Sequence, residues 1–145
     1  MSTSIEEKLQ LSMREEEYLE AIYILSLKKK FIRIKDLSEI LNVKPASVVD
    51  FLKKLKNRGL ISYEKYNAIA LTPEGERIAR EIYKRHIIIK QFLIIALGVP
   101  EDIAEEDACY IEHGIHEETF KKIEEFTRKR IKNSKVKDWS ADTNY

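Results

Sequence analysis

Hydrophobic residues recur every three to four positions along most of the chain, which is the spacing that predicts amphipathic helices. The first such segment extends from Ile5 to Leu27, with Tyr18, Ile22 and Leu25 on one side. The polar run of three lysines that follows predicts a solvated connection. The chain therefore opens with one long helix.

Two shorter helices are predicted next, over Ile34–Leu41 and Pro45–Asn57. Proline suits the first turn of a helix because it lacks an N–H that would be unsatisfied there anyway, and Gly59 follows where the second helix should end. The positions expected to face the core are Leu37, Ile40, Leu41, Val48, Leu52 and Leu55.

Two β-prone runs, Leu60–Tyr63 and Ala68–Leu71, are joined by a polar connection of hairpin length. Thr72 then provides an N-cap for a helix that reaches Leu97, and two further helices are expected at Glu101–Glu112 and Glu117–Ile131.

This order predicts a mainly α fold, in which an N-terminal winged helix-turn-helix with a small β-hairpin wing precedes an all-helical domain. The expected domains are residues 1–72 and 73–133, followed by a polar C-terminal tail at 134–145.

The composition indicates in which compartment the protein is expected to act. The chain has 145 residues, of which 43% are hydrophobic and 35% charged. The longest apolar run, Phe92–Leu97, has six residues, whereas a membrane span needs about 20. The N-terminus lacks the apolar core of a secretory signal, and the single cysteine cannot form an internal disulfide. We therefore expect a cytoplasmic protein without a membrane partner.

The small net charge hides a strong asymmetry along the chain. Residues 28–67 contain eleven Lys or Arg against four Asp or Glu, whereas residues 99–126 contain two Lys against ten Asp or Glu. The basic segment is suited to phosphates and the acidic segment to cations.

The basic segment coincides with the helix-turn-helix, which predicts binding to double-stranded DNA. The second helix should enter the major groove, where Ser47 could bind a base or a phosphate, Ala46 could contact a thymine methyl and Asp50 could accept from a cytosine amino group. Lysines would contact the backbone, and the wing tip would reach an adjacent phosphate or the minor groove. The candidate DNA-binding residues are Lys35, Lys44, Ala46, Ser47, Asp50, Lys53, Lys54, Lys65 and Tyr66. The alternative is that these lysines form only a solvated face.

Metal-ligating residue types occur at helical spacings in three segments. Glu17 and Glu20 share a face of the first helix, Cys109, Glu112 and His113 share a face of the acidic helix, and His86 lies in the long helix. Such a mixture of oxygen, nitrogen and sulfur donors suits Mn(II) or Fe(II) better than a closed structural zinc site. Solvated glutamates, a buried cysteine and a core or interface histidine are the open alternatives.

Several motifs, in this order, resemble the DtxR/MntR family of metal-dependent repressors over roughly residues 10–127. They are EEYLEAIY at 16–23, VKPASV at 43–48, Gly59-Leu60, EKY at 64–66, LTPEG at 71–75 and DACYIEH at 107–113. The resemblance implies a helical domain for dimerisation and metal binding. It also implies a homodimer that binds a palindromic operator when Fe(II) or Mn(II) is present, and the short form of the family without its SH3-like domain.

The family's ligand positions fall on Glu17, Glu20, His86, Cys109, Glu112 and His113. The resulting site is a hybrid, because the manganese-sensing branch has Asp at the position of Glu17 and a carboxylate at that of Cys109. The iron-sensing branch has the cysteine but lacks both first-helix carboxylates. At a second site of that branch, Lys90 stands in place of a Glu ligand and Glu105 in place of another ligand.

The resulting expectation is a metal-dependent repressor, not an enzyme, with no small organic substrate. One alternative is a winged-helix regulator that no metal controls, and another is a winged helix that docks proteins. A metal hydrolase is disfavoured, because it needs an open coordination position and an acid or base, and no residue is obviously left over for that role.

Overall fold

The computed structural model describes residues 10–64 and 68–132, which form two compact units on either side of the Glu81–Ile82 bond. Within these described residues, the first unit contains three helices, two short strands and the start of a fourth helix, and the second contains the rest of that helix and two more. The elements are α1 (Met13–Lys28), α2 (Ile34–Leu41), α3 (Pro45–Asn57), β1 (Ile61–Ser62), β2 (Ala70–Leu71), α4 (Pro73–Leu97), α5 (Glu101–Glu112) and α6 (Glu117–Lys132). The predicted fold class is confirmed.

Helix α1 begins later than its hydrophobic pattern suggested. The Ser12 hydroxyl accepts from the Glu15 N–H at 3.1 Å, and the Glu15 carboxylate accepts from the Ser12 N–H at 3.1 Å. This capping box starts the helix at Met13. The predicted start at Ile5 is therefore wrong for residues 10–12, because the local cap overrides the apolar spacing.

The turn of the helix-turn-helix is closed by backbone geometry at Asn42, whose φ of 54° places it in the left-handed region that Asn tolerates better than most residues. The Val43 N–H donates to the Ser38 carbonyl at 3.1 Å, and the Ser38 hydroxyl donates to the Val43 carbonyl at 2.6 Å. The predicted bounds of both flanking helices are confirmed.

The core of the first unit contains the apolar stripes of these helices. Leu37, Val48, Leu52 and Leu55 are fully buried, as the sequence predicted. Ile40 is 46% exposed, so its predicted inward position is wrong. Helix α2 has only two turns, and it buries a narrower face than the hydrophobic pattern suggested.

The wing is an antiparallel pair in which Ile61 faces Leu71 and Ser62 faces Ala70. Both strands are shorter than predicted. One reason is that the Leu60 N–H donates to the Leu55 carbonyl at 3.0 Å and thereby completes the end of α3. The connecting residues 65–67 lie outside the described part of the chain.

Helix α4 starts against the backbone that leads into the wing. The Thr72 hydroxyl accepts from the Gly75 N–H at 3.1 Å and donates to the Gly59 carbonyl at 2.7 Å. A Cβ at Gly75 would lie 1.9 Å from the Leu60 carbonyl oxygen. Glycine is therefore required here for close packing rather than for backbone flexibility.

The second unit has its own core, in which residues of α4 pack against small residues of α5 and apolar residues of α6. Its buried members are Ile88, Ile89, Leu93, Ala104, Ala108, Phe120 and Ile131. Small side chains at Ala104 and Ala108 allow α5 to approach α4 closely. This packing determines which face of α5 meets α4. The same face carries the titratable residues Glu105, Cys109 and Glu112.

Candidate metal centre and nucleic-acid interface

Four predicted ligands lie together in the second unit. His86 Nδ1 lies 3.3 Å from Glu112 Oε2 and 3.8 Å from Cys109 Sγ, and His113 Nε2 lies 3.1 Å from Glu112 Oε1. The Glu112 carboxylate thus lies between two imidazoles, and the Cys109 thiol lies beside the first of them. We call these four residues the α4–α5 cluster.

Local structure explains how α5 presents its part of the cluster. Cys109 and Glu112 are three residues apart on one helix face, and His113 follows as the C-cap residue. Arg85 fixes this end of the helix, since its Nη2 donates to the Glu112 carbonyl at 3.4 Å and its Nη1 pairs with Glu117 at 2.6 Å.

The cluster is largely removed from solvent. The Glu112 side chain is 0% exposed, and the side chains of His86 and His113 are 5% and 3% exposed. Burial of a carboxylate is costly unless charged or hydrogen-bonding partners compensate it. Cys109 is exposed, which rules out the alternative that it is a buried apolar residue.

Opposite charges control protonation in the cluster. Burial alone would lower the pKa of His86, but hydrogen bonds to Cys109 and Glu112 and the charges of Glu112 and Glu105 raise that pKa to about 11. Burial alone would raise the pKa of Glu112, but hydrogen bonds to His113 and His86 lower it. The cluster therefore holds a carboxylate that carries its negative charge at neutral pH, which is the form that binds cations.

The other two predicted ligands lie on α1 in the first unit. Glu17 is partly exposed and pairs with Arg14 Nη1 at 3.0 Å. Glu20 is 7% exposed, so it does not belong to the solvated helix face that was the alternative interpretation of this pair.

The sequence did not predict that His86 has a direct partner in Glu105. Glu105 Oε1 lies 2.8 Å from His86 Nε2, and Glu105 Oε2 lies 2.9 Å from Lys90 Nζ. Helical spacing was an available signal, because Glu105 precedes Cys109 by four residues and His86 precedes Lys90 by four.

The predicted DNA-binding residues form an exposed face in the first unit wherever the structure describes them. Ala46, Ser47, Asp50, Lys53 and Lys54 are all exposed on α3, at spacings that bring them to one side of the helix. Two further exposed residues are Lys35 on α2 and Lys44 at the N-cap of α3. Lys65 and Tyr66 lie outside the described residues.

The buried face of α3 holds the exposed face of the helix in a fixed orientation. Val48, Leu52 and Leu55 are fully buried, and Phe51 stacks on Tyr18 with a centroid distance of 4.6 Å. Packing therefore fixes the rotation of α3, so its basic and polar side chains point to solvent.

Family models match the two halves of the chain in succession. The N-terminal DNA binding domain of the iron dependent repressors matches residues 10–69, and their metal binding and dimerisation domain matches residues 72–137. The chain belongs to the DtxR/MntR family of metal-dependent, DNA-binding transcriptional repressors. Membership in this family of regulators supports DNA binding and homodimer formation.

Curated relatives agree with this assignment. An HTH-type transcriptional regulator of Methanocaldococcus jannaschii is 37% identical over 120 residues, which are 82% of this chain and 96% of the relative. The regulator MntR of Lysinibacillus sphaericus is 39% identical over 98 residues, which are 68% and 70% of the two chains.

Among solved structures, IdeR of T. acidophilum matches with a TM-score of 0.69 and 33% identity. The match covers 76% of this chain and 52% of that one, so the chain spans about half the length of that protein. Within residues 10–64 and 68–132, no helix combines the length and apolar character needed to cross a membrane.

Proposed function

We propose that this DtxR/MntR-family repressor binds Fe(II) or Mn(II) through the α4–α5 cluster and that the metal controls its affinity for DNA. The observation that carries the proposal is the buried Glu112 carboxylate between His86 and His113, with Cys109 beside His86. We further propose that it acts in the cytoplasm on genes of metal homeostasis.

The donor set fits a first-row divalent ion. It offers carboxylate oxygen, imidazole nitrogen and thiol sulfur, with separations of 3.1–3.8 Å between neighbouring donor atoms. Fe(II) and Mn(II) accept such mixed sets, whereas structural zinc sites favour closed tetrahedral sets of Cys and His. When bound, the ion would place positive charge beside the buried Glu112 carboxylate of the α4–α5 cluster.

Glu17 and Glu20 complete the proposed ligand set. Their assignment rests on the family resemblance, supported by the burial of Glu20. Since these residues belong to α1 and the other four to the second unit, a ligand set shared by both would link metal binding to the DNA-binding unit. Such linkage favours the arrangement ready for DNA.

The exposed face of α3 is the proposed reading surface. Lys53 and Lys54 are suited to phosphates, and Ser47 and Asp50 carry groups that can bond to base edges. In a homodimer, two copies of this face would read two half-sites, so the proposed operator is palindromic. Lys65 and Tyr66 remain predicted contacts of the wing tip.

The homodimer requires an apolar surface. The apolar stripe Ile87–Leu97 of α4 cannot be that surface as a whole, because Ile88, Ile89 and Leu93 pack into the core of the second unit. The exposed large hydrophobic residues described in this unit are Leu97, Ile103, Tyr110 and Phe126, and we propose the first three for the dimer contact.

The test is a titration of labelled duplex that carries the promoter region of the chain's own gene, followed by fluorescence anisotropy. Mn(II), Fe(II) under anaerobic conditions and Zn(II) are added separately to the metal-free protein. We expect Mn(II) or Fe(II) to tighten binding by about 5–150-fold, the usual range of allosteric coupling.

Two variants identify the site in the same assay. Glu112→Ala should abolish the gain, whereas Glu106→Ala, which removes an exposed carboxylate of the same helix, should retain it. If every ion leaves DNA binding unchanged, a winged-helix regulator without metal control is the correct description. If the Glu112 variant responds fully, the metal lies elsewhere.

A further inference from the structure

His86 uses its two ring nitrogens in different ways. Nε2 lies 2.8 Å from Glu105 Oε1, whereas Nδ1 faces Glu112 Oε2 at 3.3 Å and Cys109 Sγ at 3.8 Å. The side chain is 5% exposed, so packing restricts rotation of the ring. One ring edge therefore faces the proposed ligands and the other faces Glu105.

Glu105 is itself held by a cation. Its Oε2 lies 2.9 Å from Lys90 Nζ, which also lies 3.4 Å from Glu101 Oε1. His86 and Lys90 are one turn apart on α4, and Glu101 and Glu105 are one turn apart on α5. The carboxylate of Glu105 is thus held between an ammonium and an imidazole.

A neutral imidazole binds a metal through one nitrogen while the other nitrogen keeps its proton. A carboxylate that accepts this remaining proton fixes the tautomer and the ring orientation, and it makes the ligating nitrogen more basic. Glu105 has the required position relative to Nε2, and Nδ1 has the required position relative to Cys109 and Glu112.

We infer that Glu105, anchored by Lys90, is a positioning residue that, in the metal-bound protein, keeps the remaining proton of His86 on Nε2 and presents Nδ1 to the metal. This inference rests on the proposed function of the α4–α5 cluster. Glu105 itself is not a ligand in this arrangement. Its carboxylate acts through His86, and Lys90 acts through Glu105.

The tautomer is directly measurable by long-range ¹H–¹⁵N correlation on ¹⁵N-labelled protein loaded with Zn(II), a diamagnetic probe. The other histidines are His113 and His116, and a His116→Gln variant simplifies the assignment. We expect His86 to show a protonated Nε2 and a metal-bound Nδ1. A metal-bound Nε2 would overturn the inference.

Metal affinity supplies an independent readout, measured with Mn(II) and Zn(II) by competition with a chromophoric chelator. Loss of a carboxylate that supports a ligating histidine typically weakens metal binding by about 10–100-fold, and we expect this for Glu105→Ala. Glu105→Gln keeps an oxygen acceptor and should lose less. Lys90→Ala should have a smaller effect than Glu105→Ala, and Lys90→Arg should restore affinity.

Glu106→Ala is the matched control, because it removes the neighbouring exposed carboxylate and should leave affinity unchanged. Thermal melting of the metal-free Glu105 variants separates positioning from folding. A purely structural role of Glu105 would lower Tm of these variants and leave the His86 tautomer of the Zn(II)-loaded variants unaltered. Unchanged metal affinity in Glu105→Ala would overturn this inference but would leave the proposed function standing. If the parent chain bound neither ion, the proposed function would fail as well.

Discussion

The two units place charged side chains in opposite settings. On α3 of the first unit, Asp50, Lys53 and Lys54 are exposed above a wholly apolar inner face. In the second unit, Glu112, His86 and His113 are buried against each other. Asp50 and Glu112 carry the same functional group, but one is solvated and the other is enclosed.

This difference indicates what each unit is suited to bind. Exposed charges lose little solvation and remain available to a large, charged partner such as DNA. Buried charges require a compensating charge close by, which suits a small cation. The comparison therefore predicts that carboxylate substitutions in the two units will have different effects.

The largest contrast in Mn(II) affinity should come from replacing the carboxylates of Glu112 and Asp50 by their amides. Glu112→Gln should weaken Mn(II) binding by more than roughly 100-fold, beyond the loss typical of residues that only support a ligand. Asp50→Asn should leave Mn(II) affinity unchanged. Competition with a chelator measures both, and circular dichroism of the metal-free proteins checks folding. Equal affinities in the two variants would contradict the comparison.

The next effect concerns Arg85, which is 23% exposed, pairs with Glu117 at 2.6 Å and lies 4.7 Å from the centre of the Phe120 ring. Arg85→Ala should lower the free energy of unfolding by about 1–2 kcal/mol, since it removes an ion pair and a cation–π contact. Arg85→Lys should restore part of the loss. In the first unit, Arg80→Ala breaks an exposed pair with Glu76 and should cost less, about 0.3–0.5 kcal/mol. Urea unfolding measures these values, and an equal loss for both arginines would refute this ranking.

A smaller effect is expected on the basic face. Lys53→Ala or Lys54→Ala should weaken duplex binding several-fold and reduce the slope of log affinity against log salt by about one per lysine. Lys129→Ala, on α6 of the second unit, should leave the slope unchanged. Anisotropy titrations at several salt concentrations would show this. An unchanged slope in the α3 variants would leave those lysines as a solvated face.

A modest effect is expected at Asp36 in α2. Its hydrogen bonds to Lys29, at 2.6 Å, and to the Arg33 N–H, at 2.9 Å, lower its pKa. A carboxyl whose pKa is lower in the folded state stabilises the protein above its ordinary pKa, near 3.9, and loses that contribution as the pH falls further.

Asp36→Ala should therefore lower the free energy of unfolding by about 0.5–1 kcal/mol at pH 7, a value appropriate to a partly exposed capping carboxylate. The difference from the parent chain should shrink below about pH 4. Urea unfolding from pH 7 to pH 3 measures it, with the exposed Glu39→Ala as control. A difference that does not vary with pH would show that the charge of Asp36 contributes nothing.

Local signals explain which parts of the fold were predictable. Pro45 and the left-handed Asn42 define a turn within a few residues, so α2 and α3 were predicted with correct bounds. The apolar spacing upstream of Met13 suggested a longer α1, but the Ser12–Glu15 capping box determined its start. The exposure of Ile40 depends on which neighbours pack against a two-turn helix, which its own sequence does not specify.

The candidate metal centre also combines contacts that local spacing predicts with contacts that depend on packing between helices. Cys109, Glu112 and His113 are close in sequence, so helical spacing was enough to group them. Glu105 and His86 are 19 residues apart, and their contact depends on how α4 packs against α5. Spacing could place Glu105 on the correct face of α5, but the pairing of that face with Nε2 of His86 required the structure.

The central claim is that metal binding and DNA binding are coupled, and coupling free energies are reciprocal. The most direct measurement is Mn(II) affinity with and without saturating promoter duplex, by isothermal titration calorimetry at fixed salt. We predict that DNA tightens Mn(II) binding by the same factor by which Mn(II) tightens DNA binding, about 5–150-fold. Mn(II) affinity that is the same with and without duplex would contradict the account.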